Sequence, residues 1–186
     1  GSVTAGIVSA KSRDIEAGPY DNFIQTDASI NQGSSGGPMF DMNGEVIGLN
    51  SAIFSTTGGS MGIGFAIPVN LAKWVVEQLK NKGEVKRGWI GVKIQPNSEE
   101  IAASVGLNAQ EGVLVSGLNE GASAGEAGIT AGDIILSFDG YPIDNTKNLS
   151  RMVAETEIGR KVKIELWRNK QRVPLTVDIR WMPEET

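Results

Sequence analysis

The 186 residues include no histidine and no cysteine. Without cysteine there are no disulfides, no thiolate catalysis and no Cys-ligated zinc. Without histidine the usual imidazole metal ligand and the usual general base near neutral pH are both missing. Apolar runs reach only about eight residues and are broken by glycine, far short of the roughly 20 that cross a bilayer as a helix. Positive charge is in deficit: 17 Lys and Arg against 22 Asp and Glu leave a net charge of −5. That balance disfavours a nucleic-acid-binding surface overall, although a local basic patch remains compatible with it.

Glycine is abundant, at 24 residues, nearly twice the average share of about 7%. With only 7 prolines and no repeat period, this composition is neither collagen-like nor low-complexity. It points to a turn-rich, mostly β chain with close backbone packing. The apolar share of 40% is enough for a core. The opening residues, Gly1-Ser2-Val3-Thr4-Ala5-Gly6-Ile7-Val8-Ser9, read as a strand rather than a leader, so the sequence is expected to start inside a fold.

Residues 1–68 are short strand-like runs split by turn signals. Strands are predicted at Thr4–Ala10, Phe23–Thr26, Met39–Phe40, Glu45–Leu49 and Ile63–Ile67, with Asn43-Gly44 as a hairpin signal. A helix from Leu71 to about Asn81 follows, capped by Asn70 and stopped by Gly83, with Leu71, Trp74, Val75 and Leu79 on its apolar face. A boundary is expected at the polar segment after it, giving domains 1–83 and 84–186. The second region predicts a strand at Trp89–Ile94 and a helix capped by Ser98 that ends near Val105. Strands follow at Val113–Ser116 and Asp133–Phe138, then a helix over Lys147–Glu155 capped by Asp144 or Asn145. A hairpin of Lys161–Trp167 and Arg172–Arg180 ends the region. Five or so strands with two helices in about 100 residues make a small α+β module.

The segment Gly33-Ser34-Ser35-Gly36-Gly37-Pro38 carries the strongest chemical signal. It matches the G-x-S-x-G nucleophile elbow, which needs a strand before it and a long helix after it. Pro38 and the Asn43-Gly44 hairpin argue against that helix, so an α/β-hydrolase is rejected on context. The second possibility is the nucleophile loop of a chymotrypsin-like barrel. Ser35 would attack a carbonyl while the amides of Gly33 and Ser35 face the developing oxyanion. The bare pattern also suits an ordinary Gly/Ser-rich surface turn.

The neighbouring residues narrow the choice. Thr26-Asp27-Ala28-Ser29-Ile30-Asn31-Gln32-Gly33-Ser34-Ser35-Gly36-Gly37-Pro38, followed by Gly62-Ile63-Gly64-Phe65-Ala66-Ile67-Pro68, resembles the HtrA (Deg) family of PDZ-bearing serine endopeptidases. That family's pattern is close to T-D-A-x-I-N-x-G-N-S-G-G-P, then G-x-G-F-A-I-P. Ser34 stands where asparagine is usual. The resemblance runs through essentially the whole chain. It implies the second half of a chymotrypsin-like β-barrel followed by a PDZ domain. It also implies that Ser35 is the nucleophile, with Gly33 and Ser35 forming the oxyanion hole. Ile63, Gly64 and Phe65 would wall the primary specificity pocket and pair with substrate, although Ile63 and Phe65 also suit ordinary core. Asp27 reads as a structural hydrogen-bonding residue rather than a triad member.

A serine hydroxyl needs a base to act as a nucleophile near neutral pH. The family takes its histidine and aspartate from the first barrel, and this sequence holds no histidine. Either the chain is a fragment of a full protease or the polypeptide has lost the catalytic half; the fragment is the expected reading, inactive by itself and with uncovered apolar surface. Strands Thr4–Ala10 and Ile63–Ile67 would then seek partners. Lys11 has no spacing that favours it as a base.

Arg87-Gly88-Trp89-Ile90-Gly91-Val92 resembles the carboxylate-binding loop of the family's PDZ domains. Trp89, Ile90, Gly91 and Val92 would hold a peptide C-terminus, with Leu149, Met152 and Val153 as the facing wall. Those three helix residues equally suit a core face. Ala127-Gly128-Ile129-Thr130-Ala131-Gly132-Asp133-Ile134-Ile135 resembles a structural turn of the family in which Asp133 bonds the local backbone. Trp167 and Trp181 read as packing residues. The resemblance further implies a trimer-based homo-oligomer acting on unfolded polypeptides in the bacterial cell envelope, with no metal and no organic cofactor. The alternative is a non-catalytic PDZ peptide-binding module.

Overall fold

A computed structural model describes residues 2–108 and 111–182. The chain divides into two compact units, Gly1–Val85 and Lys86–Thr186. Gly1, within the expected opening strand, lies outside the described residues.

The first unit is one antiparallel sheet of five strands with a helix. The strands are β1 (Val8–Arg13), β2 (Phe23–Thr26), β3 (Pro38–Phe40), β4 (Val46–Ile53) and β5 (Gly64–Pro68), in the spatial order β1-β2-β5-β4-β3. β1 starts later than the alternation predicts. Side chains take the place of ladder bonds just before it: Ile7 N–H donates to Asp27 Oδ1 at 2.7 Å, and Thr26 Oγ1 donates to the Ile7 carbonyl at 2.9 Å. Asp27 thus has the structural role expected of it. Gly6 is required there, because a Cβ would fall 2.3 Å from Asp27 Oδ1. The β3–β4 turn is organised by Asp41, whose Oδ1 accepts the amides of Asn43 and Glu45 at 2.9 Å each.

The expectation that Ile63–Ile67 seeks a partner is corrected. β5 is interior, flanked by β2 and β4, and the open edges belong to β1 and β3. The helix α1 (Val69–Lys82) starts earlier than Asn70 suggests; Pro68 is its N-cap, with no side-chain cap bond. Its C-terminus follows the expectation, with Gly83 in the left-handed conformation at φ 75°. Ala72 is buried, whereas Leu79 is 48% exposed, so the buried face ends before the periodicity does.

The second unit contains β6 (Gly88–Trp89), β7 (Val92–Pro96), α2 (Glu99–Val105), β8 (Val113–Leu118) and α3 (Ser123–Glu126). These are followed by β9 (Ile134–Phe138), β10 (Tyr141–Pro142), α4 (Thr146–Glu155), β11 (Lys161–Arg168), β12 (Gln171–Asp178) and β13 (Arg180–Trp181). The main sheet runs β12-β11-β9-β8-β7, with β10 on β9, and β13 pairs separately with β6. Ser98 caps α2 by accepting Ile101 N–H, and Asn145 caps α4 by accepting Asn148 N–H at 2.7 Å. A core of Ile90, Val113, Val115, Ile135, Phe138, Leu149, Ile164 and Leu166, with further aliphatic residues, fills the unit. The continuous strand predicted over Trp89–Ile94 is in fact split, because Gly91 turns the backbone at φ 76°.

Candidate functional site

Two reverse turns in succession build the loop around Ser35. Ser34 N–H donates to the Asn31 carbonyl at 2.9 Å, and Gly37 N–H donates to the Ser34 carbonyl at 3.0 Å. The third residues of these turns are Gly33 at φ 91° and Gly36 at φ 81°, the position that a type II turn reserves for glycine. β4 anchors the loop: Gly36 N–H meets the Asn50 carbonyl at 2.8 Å, and Asn50 N–H meets the Gly37 carbonyl at 2.9 Å. These bonds use the amides of Ser34, Gly36 and Gly37, whereas those of Gly33 and Ser35 take no part in them. Ser35 is exposed. Its hydroxyl donates to the Ser51 carbonyl at 3.3 Å, long for an O–H donor and easily exchanged. The chain leaves this loop through β3 rather than a helix, in keeping with the rejection of the elbow.

The three predicted pocket residues fare unequally. Phe65 is 6% exposed and meets Phe23 edge to face, with ring centroids 6.2 Å apart. Gly64 is buried, and a Cβ on it would fall 2.7 Å from Ile30 Cδ1. Gly64 pairs with Thr26 on one side and Ile53 on the other, while Phe65 pairs with Gln25 and Ala52. Neither therefore has a free edge to pair with a substrate, because β5 became an interior strand. Ile63, just before the strand, keeps accessible area; its carbonyl accepts Phe54 N–H at 3.0 Å. Sequence reasoning missed Asn31 and Asn50, whose backbones hold the loop. Asparagine at the first position of a turn, and asparagine inside a strand, were the available signals.

In the second unit β7 is an outer strand, paired with β8 on one side, and α4 lies alongside β6 and β7. Before it, the Ile90 carbonyl accepts Ala124 N–H at 3.0 Å and the Gly91 carbonyl accepts Asn119 N–H at 2.9 Å. A trans peptide sets each following N–H opposite its carbonyl. The amides of Gly91 and Val92 therefore point away from these partners. Glycine is obligatory at 91: a Cβ would fall 2.3 Å from Ala122 Cβ and 2.8 Å from the Trp89 ring.

The expected apolar walls need correction. Ile90 at 2%, Leu149 at 0% and Val153 at 7% exposure are sealed in the core. Trp89, Val92 and Met152 remain half-buried and accessible.

Asp133 bonds the local backbone as expected, accepting Thr130 N–H at 2.7 Å. It also takes a two-pronged contact from Arg168, Nε to Oδ1 at 2.7 Å and Nη2 to Oδ2 at 2.6 Å. Burial pushes its carboxyl up, but Arg168 and Thr130 outweigh burial and hold it below the usual range. Trp167 packs, with Nε1 donating to the Val105 carbonyl at 3.0 Å. Trp181 is instead 47% exposed and lies under the Lys86 ammonium, 4.6 Å from the ring centroid.

Comparison with known proteins bears on both units. Residues 1–75 match the trypsin family model, and residues 88–179 match the PDZ domain model. The "Probable periplasmic serine endoprotease DegP-like" of Brucella suis biovar 1 is 51% identical over 185 residues, covering 100% of this chain and 36% of that protein. Its namesake in Pseudomonas putida is 48% identical over 184 residues, covering 99% of this chain and 38% of the relative. The chain thus spans little more than a third of the length of these curated relatives. Among solved structures, "HtrA-type protease AlgW with tripeptide" matches with a TM-score of 0.84 and 42% identity, covering 99% of this chain and 62% of that one. A serine endoprotease from Yersinia pestis matches with a TM-score of 0.64 and 37% identity, covering 98% of this chain and 57% of that one. With trypsin-like and PDZ portions in this order and relatives aligned end to end, the chain belongs to the HtrA (Deg) family of PDZ-bearing serine endopeptidases.

Proposed function

We propose that Ser35 is the nucleophile of a serine endopeptidase that degrades unfolded polypeptides, and that Gly33 and Ser35 supply its oxyanion-hole amides. The observation that carries this reading is the exposed serine on a double glycine turn whose internal bonds leave those two amides unused. Such a donor pair contributes several kcal/mol at the tetrahedral transition state. Ile63 is the predicted pocket residue that keeps accessible area, which favours small or medium apolar side chains before the cleaved bond. These 186 residues contain no histidine, so in this reading the general base is supplied by residues outside them. In the protein carrying the complete triad, Ser35→Ala lowers kcat by on the order of 10⁶-fold. The 186 residues alone show no turnover, and serine-dependent hydrolysis by them would refute the assignment of a missing base.

The second unit is proposed to be a PDZ domain that receives peptide C-termini. The Gly91 and Val92 amides would bind the carboxylate, and the outer edge of β7 would take the peptide as an added strand. Trp89, Val92 and Met152 are its accessible side chains, with Ile90, Leu149 and Val153 supporting them from the core. A labelled peptide with a free apolar C-terminus is expected to bind far more tightly than its amide. Gly91→Ala is expected to abolish the difference. Equal binding of acid and amide would exclude the carboxylate site. Because the chain lacks histidine, a non-catalytic peptide-binding activity is the second reading for these residues taken alone. By likeness to relatives named periplasmic, the cell envelope is the proposed location; a trimer-based homo-oligomer, which the sequence resemblance implies, is the proposed assembly.

A further inference from the structure

The loop between β4 and β5 is closed in part by sulfur. Thr56 directs both its amide and its hydroxyl at Met61 Sδ, each at 3.4 Å. Inside the loop, Ser55 Oγ donates to the Gly59 carbonyl at 2.6 Å and accepts Gly58 N–H at 2.8 Å. The residue beside Met61 reaches the nucleophile turn: Ser60 N–H donates to Asn31 Oδ1 at 2.8 Å. The Asn31 carbonyl in turn holds Ser34 N–H at 2.9 Å. Met61 is 51% exposed, so solvent reaches it.

We propose that Met61 is an oxidative modification site through which a peroxide loosens the turn around Ser35. In the step, the Met61 sulfur lone pair attacks one peroxide oxygen and the O–O bond breaks. A sulfur–oxygen bond forms, the sulfur gives up two electrons, and the other oxygen leaves as water once protonated. Neither sulfoxide epimer keeps the present geometry. An oxygen placed between sulfur and Thr56 has no room in a 3.4 Å gap. An oxygen on the opposite side leaves a positively polarised sulfur facing two hydrogen-bond donors. Thr56 and Met61 move apart, and Ser60, bonded to Asn31, moves with them. The loosening stands on geometry alone; its effect on hydrolysis rests on the endopeptidase reading.

The test treats the 186-residue chain with dilute hydrogen peroxide, maps sulfoxide by peptide mass, and follows amide hydrogen exchange. Met42, fully exposed in the β3–β4 turn, is the control methionine. Exchange in peptides covering 31–35 and 54–63 is expected to rise about fivefold on oxidation of wild type and of Met42→Leu. It is expected to stay unchanged in Met61→Leu and to return to its starting value with methionine sulfoxide reductase. Complete Met61 oxidation with unchanged exchange would overturn the proposal. So would equal loosening in Met61→Leu, or a Met61 that stays reduced while Met42 is converted. None of these outcomes depends on turnover, so they are separable from failure of the nucleophile assignment, which Ser35→Ala tests in the triad-bearing protein.

Discussion

Asp133 shows how one buried charge is kept ionised. Its side chain is 2% exposed, and Arg168, itself 32% exposed, grips both oxygens while also donating to the Gly128 carbonyl at 2.7 Å. Removing one partner leaves the other charge poorly solvated, so Asp133→Asn is expected to cost the second unit about 2–4 kcal/mol in urea unfolding. The pH response has a definite sign. The folded carboxyl titrates below its ordinary value of 3.8, so its stabilisation is complete above that value and is lost as pH falls through the folded pKa. Unfolding midpoints measured downward from about pH 4 should therefore drop in wild type and flatten in Asp133→Asn. At the same scale, Gly91 admits no substitution, because its left-handed φ and the closeness of Ala122 act together.

Among the elements, the β11–β12 hairpin has a correctable flaw. Its two turn residues, Asn169 and Lys170, both adopt positive φ, 52° and 60°. Asparagine tolerates this, whereas lysine is strained there. Lys170→Gly should raise the stability of the second unit by about 0.5–1 kcal/mol, visible as a higher thermal midpoint. Strand and helix identities were legible in the sequence wherever a pattern meets a cap or turn, as at Ser98, Asn145, Gly83 and Asn43-Gly44. Boundaries were less legible where side chains replace the backbone ladder, as Thr26 and Asp27 do beside Ile7. The break at Gly91 could not be read from alternation, because side-chain periodicity does not record φ. The loop around Ser35 was legible because glycine spacing dictates its turns. The apolar walls were not: Leu149, Met152 and Val153 share one helical face, and only packing decides that Met152 alone stays accessible.

Across the whole molecule, the two units differ in how much they bury. The apolar residues buried among the described part of the first unit are Ile30, Phe65, Ala66 and Ala72, while Val3, Ile7, Phe40, Met42, Phe54 and Met61 are all more than half exposed. The second unit has an extended core with Phe138 and many aliphatic side chains sealed. Burial of apolar area is the main favourable term in folding, so denaturant should unfold the first unit before the second. Trp74 is the sole tryptophan of residues 1–85, so a chain with Trp89, Trp167 and Trp181 changed to phenylalanine reports on the first unit alone. Its transition should precede that of the Trp74→Phe chain; coincident curves would show one cooperative body. One further outcome follows from the irregular pairing of β1 with β2, whose register shifts twice between Val8 and Arg13, with Ser12 at φ 54°. A foreign strand needs a regular ruler of amides and carbonyls to zip onto, and this outer margin offers only a broken one. That flank of the sheet is thus a poor seed for fibril growth, even though no neighbouring strand among the described residues shields it.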